Sequence, residues 1–212
     1  MGDYKDKVVV VGIMGAAGAG KDTFATLLET AWRVDTEYTG AVLTTPLAEP
    51  LKDAVAELLD IPLFEVDEYK RSDAPVVTTE RGTCNLRQVL QSLGTEWGRE
   101  HMGKDFWVRL LDMRLEDRVL RHPGITTPKQ GGSPVSLVII PDVRFEEEAE
   151  FVRSFPHHQL VTVVRNGIDG GRHASEQYWK TAPADVKVLN NGMPSEMGVY
   201  ASVVSRRFHG AS

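Results

Sequence analysis

Gly15, Gly20 and Lys21 stand at the spacing G-x-x-x-x-G-K, a pattern whose chemistry is the capture of an anion. Glycines let successive backbone N–H groups turn inward around a phosphate, and the positive end of a following helix points at the same place. Lys21 adds a mobile point charge for the outer phosphates. The usual pattern puts Ser or Thr directly after the lysine; here Asp22 follows, and the hydroxyl comes one residue later as Thr23. Asp22 is therefore a candidate magnesium ligand, directly or through water, because hard cations take oxygen ligands and Mg²⁺ keeps several waters. The bland alternative is a glycine-rich turn that caps a helix and binds nothing.

A second group is Asp142 and Arg144, in LVIIPDVRFEEEAEF from Leu137 to Phe151. Leu137 to Ile140 is a continuous apolar run, as in a central parallel strand buried on both faces. Ligands of such sheets bind beyond the carboxyl ends of the strands, so Asp142 and Arg144 are expected beside the phosphate loop. A carboxylate there suits magnesium in phosphoryl transfer, although many strands end in an acidic turn without any ligand.

Weaker candidates follow. Lys52 reads as a solvated lysine on a helix. Arg71 is either a phosphate clamp or the partner of Asp67, Glu68 or Asp73 in a surface ion pair. Gly94-Thr95 marks either the close approach of a ligand or another backbone to a helix, or that helix's end. Arg165, Arg172 and His173 lie in or beside the polar, glycine-rich stretch 166–176, a candidate lid.

The elements that must position these residues follow from periodicity. Val8 to Val11 reads as a buried strand and Thr23 to Trp32 as the helix after the phosphate loop. Gly40 to Thr44 reads as a short strand, and Ala48 to Asp60 as a helix with Leu51, Val55, Leu58 and Leu59 on one side. Ile61 to Thr83 has no sustained period and reads as a long loop or small lid. Asn85 to Arg99 reads as a capped amphipathic helix with Leu86, Val89, Leu90, Leu93 and Trp97 inward. Asp105 to Arg121 is another, with Trp107, Leu110, Leu111 and Leu115 inward. His122 to Ser136 reads as a surface connection. Strands over Gln159 to Arg165 and Val186 to Leu189, the turn Asn190-Asn191-Gly192 and a last helix carrying Met197, Tyr200, Val203, Val204 and Phe208 complete the chain. The alternation predicts an α/β fold with a mostly parallel sheet of about five strands flanked by helices. It predicts one domain over 1–212, with a substrate-side loop or insert at 61–84.

Composition bounds the rest. With 212 residues, 42% hydrophobic and 25% charged, the chain can bury one sizeable core. A formal charge of −6 argues against polymeric nucleic acid as a partner, which usually requires a basic stripe. Cys84 is the single cysteine, which fits a reducing cytoplasm. No apolar run approaches the length of a membrane span, and the start MGDYKDK lacks the apolar stretch of a secretory signal.

Five stretches, in order across most of the chain, carry a resemblance: GAAGAGKDT from Gly15, PLAEPLKDA from Pro46, LRQVLQSLGTEWGREHMGKDFWV from Leu86, IIPDVRFEEEAEF from Ile139, and VVRNG with HASE between Val163 and Glu176. Together they resemble the phage-type deoxynucleoside monophosphate kinases of the P-loop nucleotide kinase group. The resemblance implies a P-loop kinase fold, ATP and Mg²⁺ as cofactors, and a deoxynucleoside monophosphate as acceptor. It implies host cytoplasm as the location if the chain is phage-encoded, and leaves a homodimer open. Carried over by position, Gly18, Ala19, Gly20, Lys21, Asp22 and Thr23 would hold ATP, with Lys21, Asp142 and Arg144 at the centre of the chemistry and Asp22 and Asp142 toward the metal. Lys52, Arg71 and Arg87 would surround the acceptor phosphate. Gln91, Gly94, Thr95 and Trp107 would shape the nucleoside pocket, with Asp142 reaching the acceptor and Glu148 at the pocket's edge. Relatives can carry basic residues inside the phosphate loop, whereas positions 16, 17 and 19 are alanine here. Arg144, Arg165 or Arg172 would then supply that charge. The rival readings are a kinase of another small acceptor or of a modified base in DNA, and a non-catalytic nucleotide sensor, for which a guanine-reading Asn-Lys-x-Asp element is missing.

Overall fold

Every residue of Val8–Met14 is buried. Four consecutive valines account for this, since β-branched side chains suit a pleated surface and a strand covered on both faces needs no polar alternation. The computed structural model describes residues 4–36, 41–121, 136–170 and 177–209. Its strands, in chain order, are β1 (Val8–Met14), β2 (Val42–Thr44), β3 (Pro75–Thr79), β4 (Gly82–Asn85), β5 (Ser136–Ile140), β6 (His157–Val164) and β7 (Val186–Leu189). The helices are α1 (Lys21–Asp35), α2 (Glu49–Leu58), α3 (Val66–Ser72), α4 (Leu86–Gln91), α5 (Phe106–Arg121), α6 (Glu146–Arg153) and α7 (Pro194–Arg206), with a π-helical stretch over Ser92–Met102. Two compact units divide the chain: residues 1–46 with 114–212, and residues 47–113, the boundary falling inside α5.

The first unit is built on a five-stranded sheet of order β2-β5-β1-β6-β7, all of whose pairings are parallel. This is the helix-flanked α/β arrangement of a P-loop kinase fold. Val9, Val11 and Ile13 pack with Phe24, Leu28 and Trp32 of α1 and with Met197, Ala201 and Val204 of α7. Each such large side chain contributes about 1.5–3 kcal/mol by leaving water. On the opposite face Gly12 admits Leu160 and Val152 so closely that a Cβ there would stand 2.8 Å from each.

The second unit gathers α2, α3, the antiparallel hairpin β3–β4, α4 and the π-helical stretch. Its core is Val55, Ala56, Val66, Leu86 and Leu90. Here two expectations fail. Residues 61–83 are not a loop: a 3-10 turn (Leu63–Glu65), α3 and the hairpin occupy them. The local period is absent because α3 has seven residues and anchors itself through a single buried one, Val66. The helix expected over Asn85 to Arg99 does begin at an Asn85 cap, whose side chain accepts from Gln88 N at 3.0 Å while the Gln88 side chain accepts from Asn85 N at 2.9 Å. From Ser92 onward, however, it widens into π turns, and this change of register leaves Trp97 43% exposed rather than inward. Residues 122–135 of the connection expected over 122–136, and the 171–176 part of the expected lid with Arg172 and His173, lie outside the described residues, while Ser136 already belongs to β5.

Candidate active site

The loop between β1 and α1 is shaped by three glycines with left-handed backbones: Gly15 (φ 145°), Gly18 (φ 77°) and Gly20 (φ 99°). Only glycine takes such values without strain. Gly15 leaves β1 directly over β6, where a Cβ would overlap the Val163 carbonyl oxygen, whereas a Cβ on Gly18 would meet nothing within 4 Å. Ala19 N donates to Ala16 O at 3.1 Å, tightening the loop, and Phe24 N donates to Gly20 O at 2.9 Å as α1 begins. Lys21 is half-buried, and its Nζ donates to the Gly15 and Ala16 carbonyls at 2.9 Å each. The lysine thus folds back across the loop that precedes it. Asp22 and Thr23 are exposed in the first turn of α1, where a helix N-terminus offers unpaired N–H groups and favours anions.

β5 lies beside β1, with Gly12 opposite Ile140. Val143 N donates to Ile13 O at 3.1 Å, so the turn carrying Asp142 and Arg144 is tied to the strand that feeds the glycine loop. Both side chains are half-buried. Glu148 is buried at 7% exposure, and its Oε2 accepts from Arg144 N at 2.6 Å and from Phe145 N at 3.1 Å. A carboxylate at the third position of α6 satisfies N–H groups that a helix start leaves unpaired, and it holds the backbone of Arg144 in place. Glu148→Ala would remove both of these hydrogen bonds. Its expected effect is a loss of about 1–3 kcal/mol, read as a drop in Tm of roughly 3–10 °C by circular dichroism.

A further contact was not visible as a motif. Asn190, at the end of β7, donates from Nδ2 to Ala19 O at 2.8 Å across 171 residues. The sequence shows this stretch only as a turn; the one available hint is that asparagine side chains readily hydrogen-bond backbone groups.

The remaining candidates belong to the second unit. Lys52 is not merely solvated: its Nζ meets Asp67 Oδ1 at 2.8 Å, with 23% of the lysine side chain exposed. That hydrogen bond holds the Asp67 carboxyl below its ordinary value; partial burial opposes the effect, and the charges of Lys52, Lys70 and Arg71 reinforce it. Arg71 and Arg87 are both exposed, and Arg87 donates to Lys70 O at 3.3 Å. The four cations Lys52, Lys70, Arg71 and Arg87 thus gather on α2, α3 and the start of α4. Gln91 is exposed at the end of α4, and Thr95 is half-buried.

Gly94 does not end the helix. A Cβ on it would stand 2.8 Å from Leu51 Cδ2, so it marks a close approach of α2. Its carbonyl accepts from Trp107 Nε1 at 2.8 Å. Gly98 lies against the same indole, which a Cβ there would overlap. Trp107 is therefore fixed by two glycines of the π-helical stretch, with Phe106 and Trp97 as ring neighbours at 5.0 and 6.3 Å between centroids. No helix among the described residues is long and apolar enough to cross a membrane.

Comparison with known proteins bears on the family. Residues 60–199 match the family model described as deoxynucleotide monophosphate kinase. A protein of Acanthamoeba polyphaga mimivirus, whose name as a deoxynucleotide monophosphate kinase is provisional, is 25% identical over 211 residues, covering 93% of this chain and 95% of its own length.

Proposed function

The chain belongs to the deoxynucleotide monophosphate kinase family, and from that premise we propose that it transfers the γ-phosphoryl group of ATP to a deoxynucleoside monophosphate. The observation that carries the reading is the lysine-closed glycine loop on β1, with Asp142 and Arg144 leaving the neighbouring strand β5.

In this reaction an oxygen of the acceptor's phosphate forms a bond to the γ-phosphorus while the bond from that phosphorus to the β–γ bridging oxygen breaks. The products are ADP and a deoxynucleoside diphosphate. Such transfer asks a protein for alignment, exclusion of water and positive charge on the equatorial oxygens, with little covalent participation. Gly18, Ala19, Gly20, Lys21 and Thr23 surround the ATP phosphates through their backbone, and Lys21 exchanges its two carbonyl partners for phosphate oxygens. Arg144 lends a second positive charge that a loop with alanine at positions 16, 17 and 19 does not provide. Lys52, Arg71 and Arg87 hold the acceptor's phosphate. Gln91, Gly94, Thr95 and Trp107 form the nucleoside pocket, in which Trp107 serves as a rigid wall because its indole N–H is already committed to Gly94.

Magnesium fits the same residues. The ion needs only one or two carboxylates when substrate phosphates and water fill its remaining positions, and Asp22 and Asp142 are carboxylates at the first turn of α1 and just past β5. When bound, the ion would neutralise phosphate charge.

The test is ADP formation by the purified protein with ATP and Mg²⁺ against a panel of deoxy- and ribonucleoside monophosphates. Turnover stimulated by one or more deoxynucleotides is expected. A folded protein that binds ATP but shows no acceptor-dependent ADP release would overturn the reading.

A further inference from the structure

We infer that Asn190 is a positioning residue for the phosphate loop, aiming the Gly20 N–H at the phosphates of a bound nucleotide; this rests on the ATP reading above. Ala19 O is the acceptor in their contact, so the side-chain atom facing it must be the amide nitrogen, at 2.8 Å. The peptide joining Ala19 to Gly20 is planar and trans, so its N–H points opposite to its C=O. A carbonyl drawn toward Asn190 therefore turns the Gly20 N–H away from the β7–α7 turn, at the N-cap of α1 where an anion is favoured.

Asn190 is itself held firmly. Its backbone N donates to Val164 O at 2.8 Å, at the end of β6. The next residue, Asn191, accepts through Oδ1 from Asn166 N at 2.7 Å. One turn is thus fastened to β6, to the chain leaving β6 and to the phosphate loop. The fit is matched from the other side as well. A Cβ at Gly20 would overlap the Asn190 amide, so glycine is required there both for its φ of 99° and for the room it leaves. Ala19 N is already turned into the loop toward Ala16 O, and Asn190 fixes the remaining polar group of that residue.

Binding of ATP and of inorganic tripolyphosphate, each with Mg²⁺, to the wild type, Asn190→Ala and Asn190→Asp separates the alternatives by calorimetry. Tripolyphosphate carries the phosphates without base or sugar. Asn190→Ala is expected to weaken both ligands by about threefold to tenfold, the worth of one hydrogen bond. Asn190→Asp, nearly identical in shape but with an anion against the carbonyl, is expected to weaken both further. Binding of a deoxynucleoside monophosphate alone should be unchanged, which a general loss of structure would not leave intact.

Unaltered ATP affinity in both variants overturns the inference. So does a loss confined to ATP, which would make Asn190 a contact of the base or sugar. If Asn190→Asp does not fold, Asn190→Ala decides alone. A wild type that binds neither ligand overturns the ATP reading and this inference with it, a pattern distinct from intact wild-type binding with indifferent variants.

Discussion

Lys21→Ala is expected to lower kcat for ADP formation by about 10²–10³, the scale on which removing one preorganised charge-stabilising donor acts, with the fold retained. The side chain is half-buried, and its ammonium group already spans the loop, 2.9 Å from the Gly15 and Ala16 carbonyls. A cation held by neutral carbonyls can exchange them for phosphate oxygens, to which it is attracted by full charge rather than by dipoles. In the transition state the outer phosphate oxygens carry the most charge, so the deficit should appear mainly in kcat. Some weakening of ATP binding should accompany it. Removal of the two carbonyl contacts should lower Tm only modestly, because the loop keeps its internal bond from Ala19 to Ala16 and its tether to Asn190. Steady-state ADP release at saturating acceptor, with circular dichroism beside it, checks both halves. Turnover within tenfold of the wild type would remove Lys21 from the chemistry.

What could be read in advance divides along a physical line. The valine run, the glycine spacing, the apolar strand before Asp142 and the Asn85 cap are local patterns, each set by a few adjacent residues, and they reappear as β1, the glycine-shaped loop before α1, β5 and the start of α4. Features that depend on distant packing were not legible. α3 and the β3–β4 hairpin are short and mostly exposed, and they gain order from the cluster of Val55, Val66, Leu86 and Leu90 rather than from any period of their own. The π-helical stretch defeats a 3.6-residue reading because it adds residues per turn. Trp97, inward on the ideal wheel, emerges at the surface, while Gly94 and Gly98 take up the indole of Trp107. The Asn190–Ala19 bond joins residues 171 positions apart, and no pattern in either neighbourhood announces the other. The lysine at 52 shows the same limit: helix position alone makes it a solvated residue, and only the fold brings it to Asp67.

Gly15→Ala is expected to be the most damaging single methyl group in the phosphate loop, and Gly18→Ala supplies its control. Both glycines have positive φ, 145° and 77°, so both substitutions carry backbone strain of about 1–3 kcal/mol. Only at Gly15 is the space also filled, by the Val163 carbonyl oxygen. That oxygen cannot step aside cheaply. Val163 lies in β6, which pairs with β1 through Met14 and Thr162 on one side and with β7 through Val163 and Val188 on the other. Moving it disturbs an inner strand of the sheet, where Val163 is fully buried, and such overpacking adds about 1–3 kcal/mol. The combined loss for Gly15→Ala is about 3–5 kcal/mol, a fall in Tm of roughly 6–15 °C, with weakened ATP binding because the loop must leave the sheet along a different path. Gly18→Ala should lower Tm by only about half as much, since its new methyl group meets nothing. Thermal unfolding of the two variants side by side measures the difference. Equal losses would mean that strain alone sets the loop's tolerance, and that the proximity of Gly15 to β6 carries no energetic weight.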